Sequence, residues 1–162
     1  MSFVLGIVGS SGSGKTTLIV KLLEIFNAEG IKVATVKLTH HDLDLDEPGK
    51  DSHRHRQAGA QATALIGPKR TQIFHERPLD LPDILPQLGT VDLVLIEGFI
   101  DAANPKIEVY RPALNKPLRC LDKPGLIAIA TDAPIKNAPA PLLDLSDAGA
   151  IAGFIRQLMQ KA

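Results

Sequence analysis

The sequence predicts an α/β fold: a mainly parallel sheet flanked by helices, with additional antiparallel or edge strands. Residues 3–8 form a short, continuously apolar run, as expected of a parallel strand that is buried on both faces. Residues 17–28 place apolar side chains at the spacing of an amphipathic helix. Two further apolar runs, residues 91–96 and 126–131, indicate more buried strands. Ligands bind beyond the carboxyl ends of the strands in such sheets.

The remaining elements follow from turn signals and periodicity. Asp51 or Ser52 is expected to cap a helix at residues 51–59, and Ser146 or Asp147 to cap a final helix. The other predictions, in chain order, are a strand at 31–38, an irregular segment with a possible short strand at 42–50, a hairpin of strands 62–67 and 71–75, a proline-broken helix at 79–88, a strand at 106–110 and a connecting loop at 111–125. We expect one domain, residues 1–162.

Composition excludes several classes of protein. Lysine plus arginine and aspartate plus glutamate number 18 each, so bulk charge does not favour nucleic-acid binding or oppose self-association. A single cysteine rules out an internal disulfide framework and fits a reducing, cytoplasmic location. Neither a membrane span of about 20 apolar residues nor a signal peptide is expected.

The central motif is G-S-S-G-S-G-K-T at residues 9–16, here named the glycine loop. It fits G-x-x-x-x-G-K-[ST] and lies between a predicted strand and a predicted helix. Glycines allow several N–H groups to point at one phosphate chain, and the helix directs its positive dipole end to the same place. Lys15 would contact the β- and γ-phosphates, and the Thr16 hydroxyl would bind Mg²⁺. The motif predicts a P-loop NTPase-like nucleotide site.

Catalysis at such a site also needs a carboxylate near the metal and the attacking water. Asp92 and Glu97 flank the strand at 91–96 and are about 16 Å apart at about 3.3 Å per residue. Only the residue at the carboxyl end can face the glycine loop, which selects Glu97. Gly98 would allow close approach of the backbone to phosphates. Lys37, near the end of the second strand, is expected at the same rim.

The sequence does not specify the nucleotide base. The guanine-reading pattern N-K-x-D is missing, since Asn115 and Lys116 are followed by no such aspartate. Asp132 ends another strand at the rim, where contact with a base or ribose and capping of its own turn both remain open.

The histidines raise the question of a transition-metal site. They are His40, His41, His53, His55 and His75. Imidazole groups with nearby aspartates bind Zn²⁺ or Ni²⁺, but this spacing matches no closed site and Cys120 is remote. We therefore expect contacts with phosphate or a partner in preference to a dedicated metal site.

Several segments, in this order, resemble the MobB family of molybdopterin-guanine dinucleotide biosynthesis adaptor proteins. They are the glycine loop, V-A-T-V-K-L-T-H-H-D, P-G-K-D-S-H-R-H-R-Q-A-G-A, D-L-V-L-I-E-G-F and P-K-I-E-V-Y-R. The resemblance covers roughly residues 3–132. Leu38 and Thr39 depart from the expected, more polar K-H-x-H-H form, so no histidine acts at position 38.

The resemblance implies a GTP-binding protein with weak GTPase activity that assists a MobA-type guanylyltransferase in joining GMP to molybdopterin. It also implies a homodimer, to which we add the hypothesis that strands 62–75 and 106–110 extend a sheet between subunits. Direct contact with the pterin stays open. The residues expected to hold the nucleotide are Gly9, Ser11, Gly12, Ser13, Gly14, Lys15, Thr16 and Thr17.

The resemblance also suggests further roles around the phosphates. Thr16 and Glu97 would bind Mg²⁺, and Glu97 would also orient water. Lys37, Asp51 and Arg54 would be rim contacts: Asp51 would join the metal shell through water, and Arg54 would offset phosphate charge.

Two other functions use the same motif. A small-molecule kinase would need an acceptor pocket, a base and an arginine-rich lid; Arg54 and Arg56 are candidates for the lid, but no acceptor signature is present. A metal-delivery GTPase for nickel enzymes is supported by the histidines alone.

Overall fold

The computed structural model describes residues 2–39, 41, 43 and 46–161. Contacts divide the chain into two compact units, Met1–Thr39 with Thr90–Ala162, and His40–Gly89. The expectation of one domain over residues 1–162 remains a prediction. None of the helices formed by the described residues is long and apolar enough to cross a membrane.

The elements follow the predicted order. In chain order they are β1 (Phe3–Val8), α1 (Lys15–Ala28), β2 (Val33–Lys37), α2 (Asp51–Gln57), β3 (Ala62–Ile66), β4 (Thr71–His75), α3 (Leu81–Ile84) with a 3-10 turn (Leu85–Leu88), β5 (Leu93–Glu97), β6 (Lys106–Tyr110), a 3-10 turn (Pro112–Leu114), β7 (Leu126–Thr131), β8 (Leu142–Asp144) and α4 (Ala148–Met159). The prediction missed β8, which has three residues.

The first unit is built on a six-stranded sheet in the order β2-β5-β1-β6-β7-β8. All five pairings are parallel, with Leu5 opposite Leu95 and Ile7 opposite Ile107. This confirms the predicted mainly parallel α/β fold. Because the strands run in one direction, the carboxyl ends of β1, β2, β5, β6 and β7 share one rim.

One face of the sheet carries the main core. Helices α1 and α4 pack against each other, and Leu22, Phe26, Ile151 and Ile155 have no solvent-exposed surface. The apolar spacing that predicted both helices is therefore the buried stripe. Asp147 caps α4 as expected, since its carboxylate accepts a hydrogen bond from the Ala150 N–H over 2.8 Å.

Strand β6 corrects one expectation. We predicted that residues 106–110 extend a sheet between subunits, yet β6 lies inside the sheet between β1 and β7. Lys106 and Glu108 are both buried there. The Lys106 amine donates to the carbonyls of Ala102 and Pro124. With hydrogen bonds on both sides, β6 offers no free edge for another chain.

The second unit contains the antiparallel hairpin β3–β4, confirming the predicted hairpin. Arg56 of α2 lies over the Phe74 ring at 4.9 Å and pairs with Asp46 and Glu76. The cap predicted for α2 was wrong: Lys50 occupies the cap position, and the Ser52 hydroxyl instead donates to Asp46.

Of the two other predictions for this unit, one is confirmed and one falls partly outside the described residues. The proline-broken helix is confirmed by α3 and the 3-10 turn that follows it. The possible short strand at residues 42–50 falls partly outside the described residues.

Candidate functional site

The glycine loop joins the end of β1 to the start of α1, the order that the motif predicted. Gly9 has a φ of 139°, and a Cβ there would lie 2.3 Å from the Val109 carbonyl oxygen. Only glycine fits this close approach to β6. Gly14 caps α1 in a left-handed conformation with a φ of 102°. The first N–H groups of α1 therefore open toward the loop, as an anion site requires.

Lys15 folds back over the loop that carries it. Its Nζ donates to the carbonyls of Gly9 and Ser10, each over 3.0 Å. Burial lowers the pKa of Lys15, and the nearby carboxylate of Glu97 opposes that shift. Carbonyl oxygens are weaker partners for an ammonium than phosphate oxygens. An incoming phosphate would therefore compete well for this amine.

Ser13 leaves a buried polar atom without a partner. Its side chain is 1% exposed, and its hydroxyl has no hydrogen bond to any part of the chain that the structure describes. Such a group costs free energy unless a ligand or water satisfies it. The interior of the glycine loop is therefore a candidate position for a ligand.

Thr16 meets the carboxylate that the sequence selected. Its hydroxyl lies 3.1 and 3.0 Å from the two carboxylate oxygens of Glu97. Lys37 Nζ lies 3.5 Å from Glu97 Oε1. The three residues come from α1, β5 and β2, whose register aligns Lys37 with Glu97. The structure thus brings a lysine, a hydroxyl and a carboxylate together beside the glycine loop.

The opposite end of β5 carries the carboxylate that was set aside. Asp92 is exposed and accepts a hydrogen bond from the Lys32 N–H over 2.8 Å. Asp92 immediately precedes β5, and its exposure agrees with the expected position away from the glycine loop.

Other predicted residues have less specific surroundings. Thr17 is exposed on α1. Gly98 has a φ of 102°, and a Cβ there would lie 3.1 Å from the Leu38 Cβ, so a neighbouring side chain already requires this glycine. Asp51 and Arg54 are exposed on α2 in the second unit. Their roles toward a nucleotide remain predictions.

The histidines form no recognisable centre where they are described. Among residues 2–39, 41, 43 and 46–161, no group of three His, Cys, Asp or Glu side chains is placed to hold a metal ion. His40 lies outside those residues. His75 contacts Gln87 at 3.3 Å within the second unit.

The prediction missed the cationic residues that follow β6. Arg111 Nε donates to the Ser13 carbonyl over 2.9 Å, and its guanidinium pairs with Asp132. Lys116 Nζ donates to the Ser11 carbonyl over 3.1 Å. Asp132 thus serves an ion pair, and the Thr131 hydroxyl makes the hydrogen bonds of the turn with Ala133.

The sequence gives little indication that residues 111–125 contact the glycine loop. Three prolines made residues 111–125 look like a simple connection, and the only pointer was basic residues between two strand ends.

Comparison with known proteins gives one consistent family. Residues 4–132 match the family model described as MobB, Molybdopterin guanine dinucleotide synthesis protein B. The chain is 39% identical over 158 residues to the molybdopterin-guanine dinucleotide biosynthesis adapter protein of Escherichia coli (strain K12), covering 93% of this chain and 90% of that protein.

Two further relatives agree. The protein of the same name from Haemophilus influenzae is 39% identical over 156 residues, covering 94% of this chain and 86% of its own length. The crystal structure of a MobB protein homolog from Bacillus stearothermophilus superposes with a TM-score of 0.73 at 27% identity, covering 98% of this chain and 99% of that one.

Proposed function

Starting from the premise that this chain belongs to the MobB family of molybdopterin guanine dinucleotide synthesis proteins, we propose that it binds GTP and hydrolyses it slowly. Family membership assigns the chain an adapter role in molybdopterin-guanine dinucleotide biosynthesis. The finer proposal is that GTP binding serves the step in which a MobA-type guanylyltransferase attaches GMP to molybdopterin.

The contact between Thr16 and Glu97 carries the nucleotide proposal. A hydroxyl at the start of α1 and a carboxylate at the end of a neighbouring strand lie within 3.1 Å of each other. This pairing is what a metal–phosphate site requires, because the hydroxyl and the carboxylate must reach the same metal shell. The buried, unpartnered Ser13 hydroxyl supports the same reading.

The donor set fits Mg²⁺. Thr16 and Glu97 offer hard oxygen atoms, and Mg²⁺ commonly takes one or two protein oxygens together with phosphate oxygens and waters. When bound, Mg²⁺ would neutralise charge on the β- and γ-phosphates. Thr16 and Glu97 are the residues that would hold it.

The chain's own groups would act in sequence. Lys15 would exchange the carbonyls of Gly9 and Ser10 for phosphate oxygens, and N–H groups of the glycine loop would surround the phosphates. Glu97 would orient water for attack, while Lys37 beside it would offset negative charge. Slow hydrolysis is expected, because the Glu97 carboxylate is shared between the Thr16 hydroxyl, the Lys37 amine and the attacking water.

The second unit supports the homodimer proposal. Ile66 and Ile73 are 84% and 53% exposed. The hairpin register pairs Ala64 with Ile73, so both isoleucines lie on one face, while Arg56 covers Phe74 on the other. The two-stranded sheet pairs with no other described strand. We propose that a second copy of the chain covers this face. We also propose that the protein is cytoplasmic.

Calorimetric titration with GTP and ATP in the presence of Mg²⁺ tests the nucleotide proposal. Lys15→Ala should abolish binding, whereas Lys21→Ala, an exposed lysine of the same helix, should not change it. Selective GTP binding in the wild type would then be followed by a pull-down of the guanylyltransferase. A preference for ATP would favour a kinase, and no binding of either nucleotide would refute the proposal.

Sedimentation measurements test the homodimer. Ile66→Lys should shift a dimer toward monomer, because it places a charge on the apolar face of the hairpin. Lys69→Glu in the hairpin turn is the control. A wild-type chain that sediments as a monomer would contradict this part.

A further inference from the structure

Arg111 holds the glycine loop from outside. Its Nε donates to the Ser13 carbonyl, and a Cβ on Gly14 would lie 3.5 Å from its Nη2. Asp132 pairs with the same guanidinium, so the fork is fixed by two partners. The guanidinium therefore lies alongside the Ser13–Gly14 peptide and is not free to leave it easily.

This contact has a consequence for the next N–H group. The described peptides of the chain are trans, so the Ser13 carbonyl and the Gly14 N–H point in opposite directions. Holding the carbonyl toward Arg111 turns the Gly14 N–H away from it. In the described part of the chain, that N–H donates to no other backbone group. It remains available to a ligand.

Lys116 repeats the arrangement two residues earlier. Its Nζ donates to the Ser11 carbonyl over 3.1 Å. The trans peptide then directs the Gly12 N–H to the opposite side. No backbone acceptor among the described residues takes that hydrogen either. Alternate carbonyls of the loop are thus held by two cations from one short segment.

We infer that Arg111 and Lys116 form a carbonyl clamp, positioning residues that direct the N–H groups of Gly12 and Gly14 toward a bound phosphate chain. The inference rests on the proposed nucleotide function. It assigns a role to the segment after β6: the segment orients the dipoles of the loop before the nucleotide arrives. Pre-oriented dipoles need no reorganisation upon binding.

General attraction by positive charge is the alternative that a test must separate. Burial lowers the pKa of Lys15, and the positive charges of Arg119 and Lys116 add to that effect. Arg119 is therefore near enough to act electrostatically on the site. The contact that holds Arg119 in place is made by its backbone N–H, which donates to the Glu108 carboxylate over 2.7 Å. No described hydrogen bond joins its side chain to a glycine-loop carbonyl, so Arg119→Gln is the matched control.

The experiment is amide NMR of the full chain, labelled with ¹⁵N and titrated with a non-hydrolysable GTP analogue and Mg²⁺. In the wild type, the Gly12 and Gly14 amide protons should move downfield on binding. Arg111→Gln should abolish the Gly14 shift, and Lys116→Gln the Gly12 shift. Each should weaken affinity about ten- to a hundredfold, the range of a hydrogen bond to a charged group. Lys116→Arg should restore the Gly12 shift.

The outcomes are distinguishable. Arg119→Gln should weaken binding only at low salt and keep both shifts. The clamp is refuted if Arg111→Gln and Lys116→Gln both keep the two amide shifts and bind the nucleotide as tightly as the wild type. A wild-type chain that binds no nucleotide would instead overturn the proposed function. Lys116 is exposed, so its variant folds and carries the test even where Arg111→Gln does not.

Discussion

Glu97→Gln tests the proposed metal role of Glu97 and separates it from the effect of the residue's charge. The substitution keeps the size of the side chain and an oxygen for the Thr16 hydroxyl, but removes one negative charge. If Glu97 binds Mg²⁺, the variant should bind Mg²⁺–GTP more weakly. If its charge also repels the triphosphate, the variant should bind GTP more tightly in EDTA. The two effects have opposite signs.

The structure sets the size of each effect. Lys37 Nζ lies 3.5 Å from Glu97, and the Lys37 side chain is 64% exposed. Two unit charges at that distance interact by about 1 kcal/mol in water, so loss of this screened pair should change stability by less than about 1 kcal/mol. A similar repulsion between Glu97 and one phosphate charge predicts about fivefold tighter metal-free binding. Loss of a metal-binding group should weaken Mg²⁺–GTP binding by at least about tenfold.

Calorimetry with and without EDTA measures both affinities, and chemical denaturation measures stability. Asp92→Asn is the matched control, because it removes a carboxylate from the other end of the same strand. That variant keeps an amide oxygen that can accept from the Lys32 N–H but loses the charge on the acceptor, so it should cost less than about 1 kcal/mol of stability and leave the Mg²⁺ dependence unchanged. An equal loss of affinity in both buffers for Glu97→Gln would refute the metal role.

Three further predictions concern the fold around the site. Gly9→Ala should abolish nucleotide binding and lower the melting temperature, because the added Cβ would lie 2.3 Å from the Val109 carbonyl; unaltered calorimetry would contradict the geometry. Phe26→Ala should cost about 3–5 kcal/mol in urea unfolding, since the ring is fully buried, and a loss below about 1 kcal/mol would be inconsistent with that burial. Burial, with the Glu108 carboxylate adding to it, raises the pKa of the Cys120 thiol from 9.0 to about 12. As the pH rises, the thiol therefore loses its proton in the unfolded chain before it does so in the folded chain, and the free energy of unfolding should fall above pH 9 by up to about 1.4 kcal/mol per pH unit. Cys120→Ala should remove this pH dependence. If the free energy of unfolding falls equally with pH in the wild type and in Cys120→Ala, the thiol makes no such contribution.

Sequence reasoning worked where the relevant signal is local. The order of strand, glycine loop and helix was predictable because apolar runs and glycines at fixed offsets determine it. The pairing of Thr16 with Glu97 was also predictable, because the carboxyl ends of parallel strands meet at one rim. These inferences need only chain direction and spacing.

The inferences that failed depend on contacts distant in sequence. Strand 106–110 was expected to extend a sheet between subunits, yet it lies inside the sheet, and Lys106 and Glu108 are buried because loop backbone groups satisfy them. Hydrophobic periodicity carries no information about such partners. Arg111 was missed for the same reason, since its acceptor is a backbone carbonyl 98 positions away. Every residue has a backbone carbonyl, so the residue types in the sequence do not show which carbonyl accepts a side-chain hydrogen bond.

The central position of β1 bears on how the chain becomes competent during synthesis. A ribosome releases the first strand and the glycine loop early, but β5 and β6, the neighbours of β1, emerge some ninety residues later. Domains fold once their non-local partners exist, and such long-range pairing is slow. A nascent chain ending at residue 89 would carry the whole motif with neither flanking strand. If the proposed function holds, the polypeptide would therefore become able to bind nucleotide only late, after residues near 116 have left the exit tunnel.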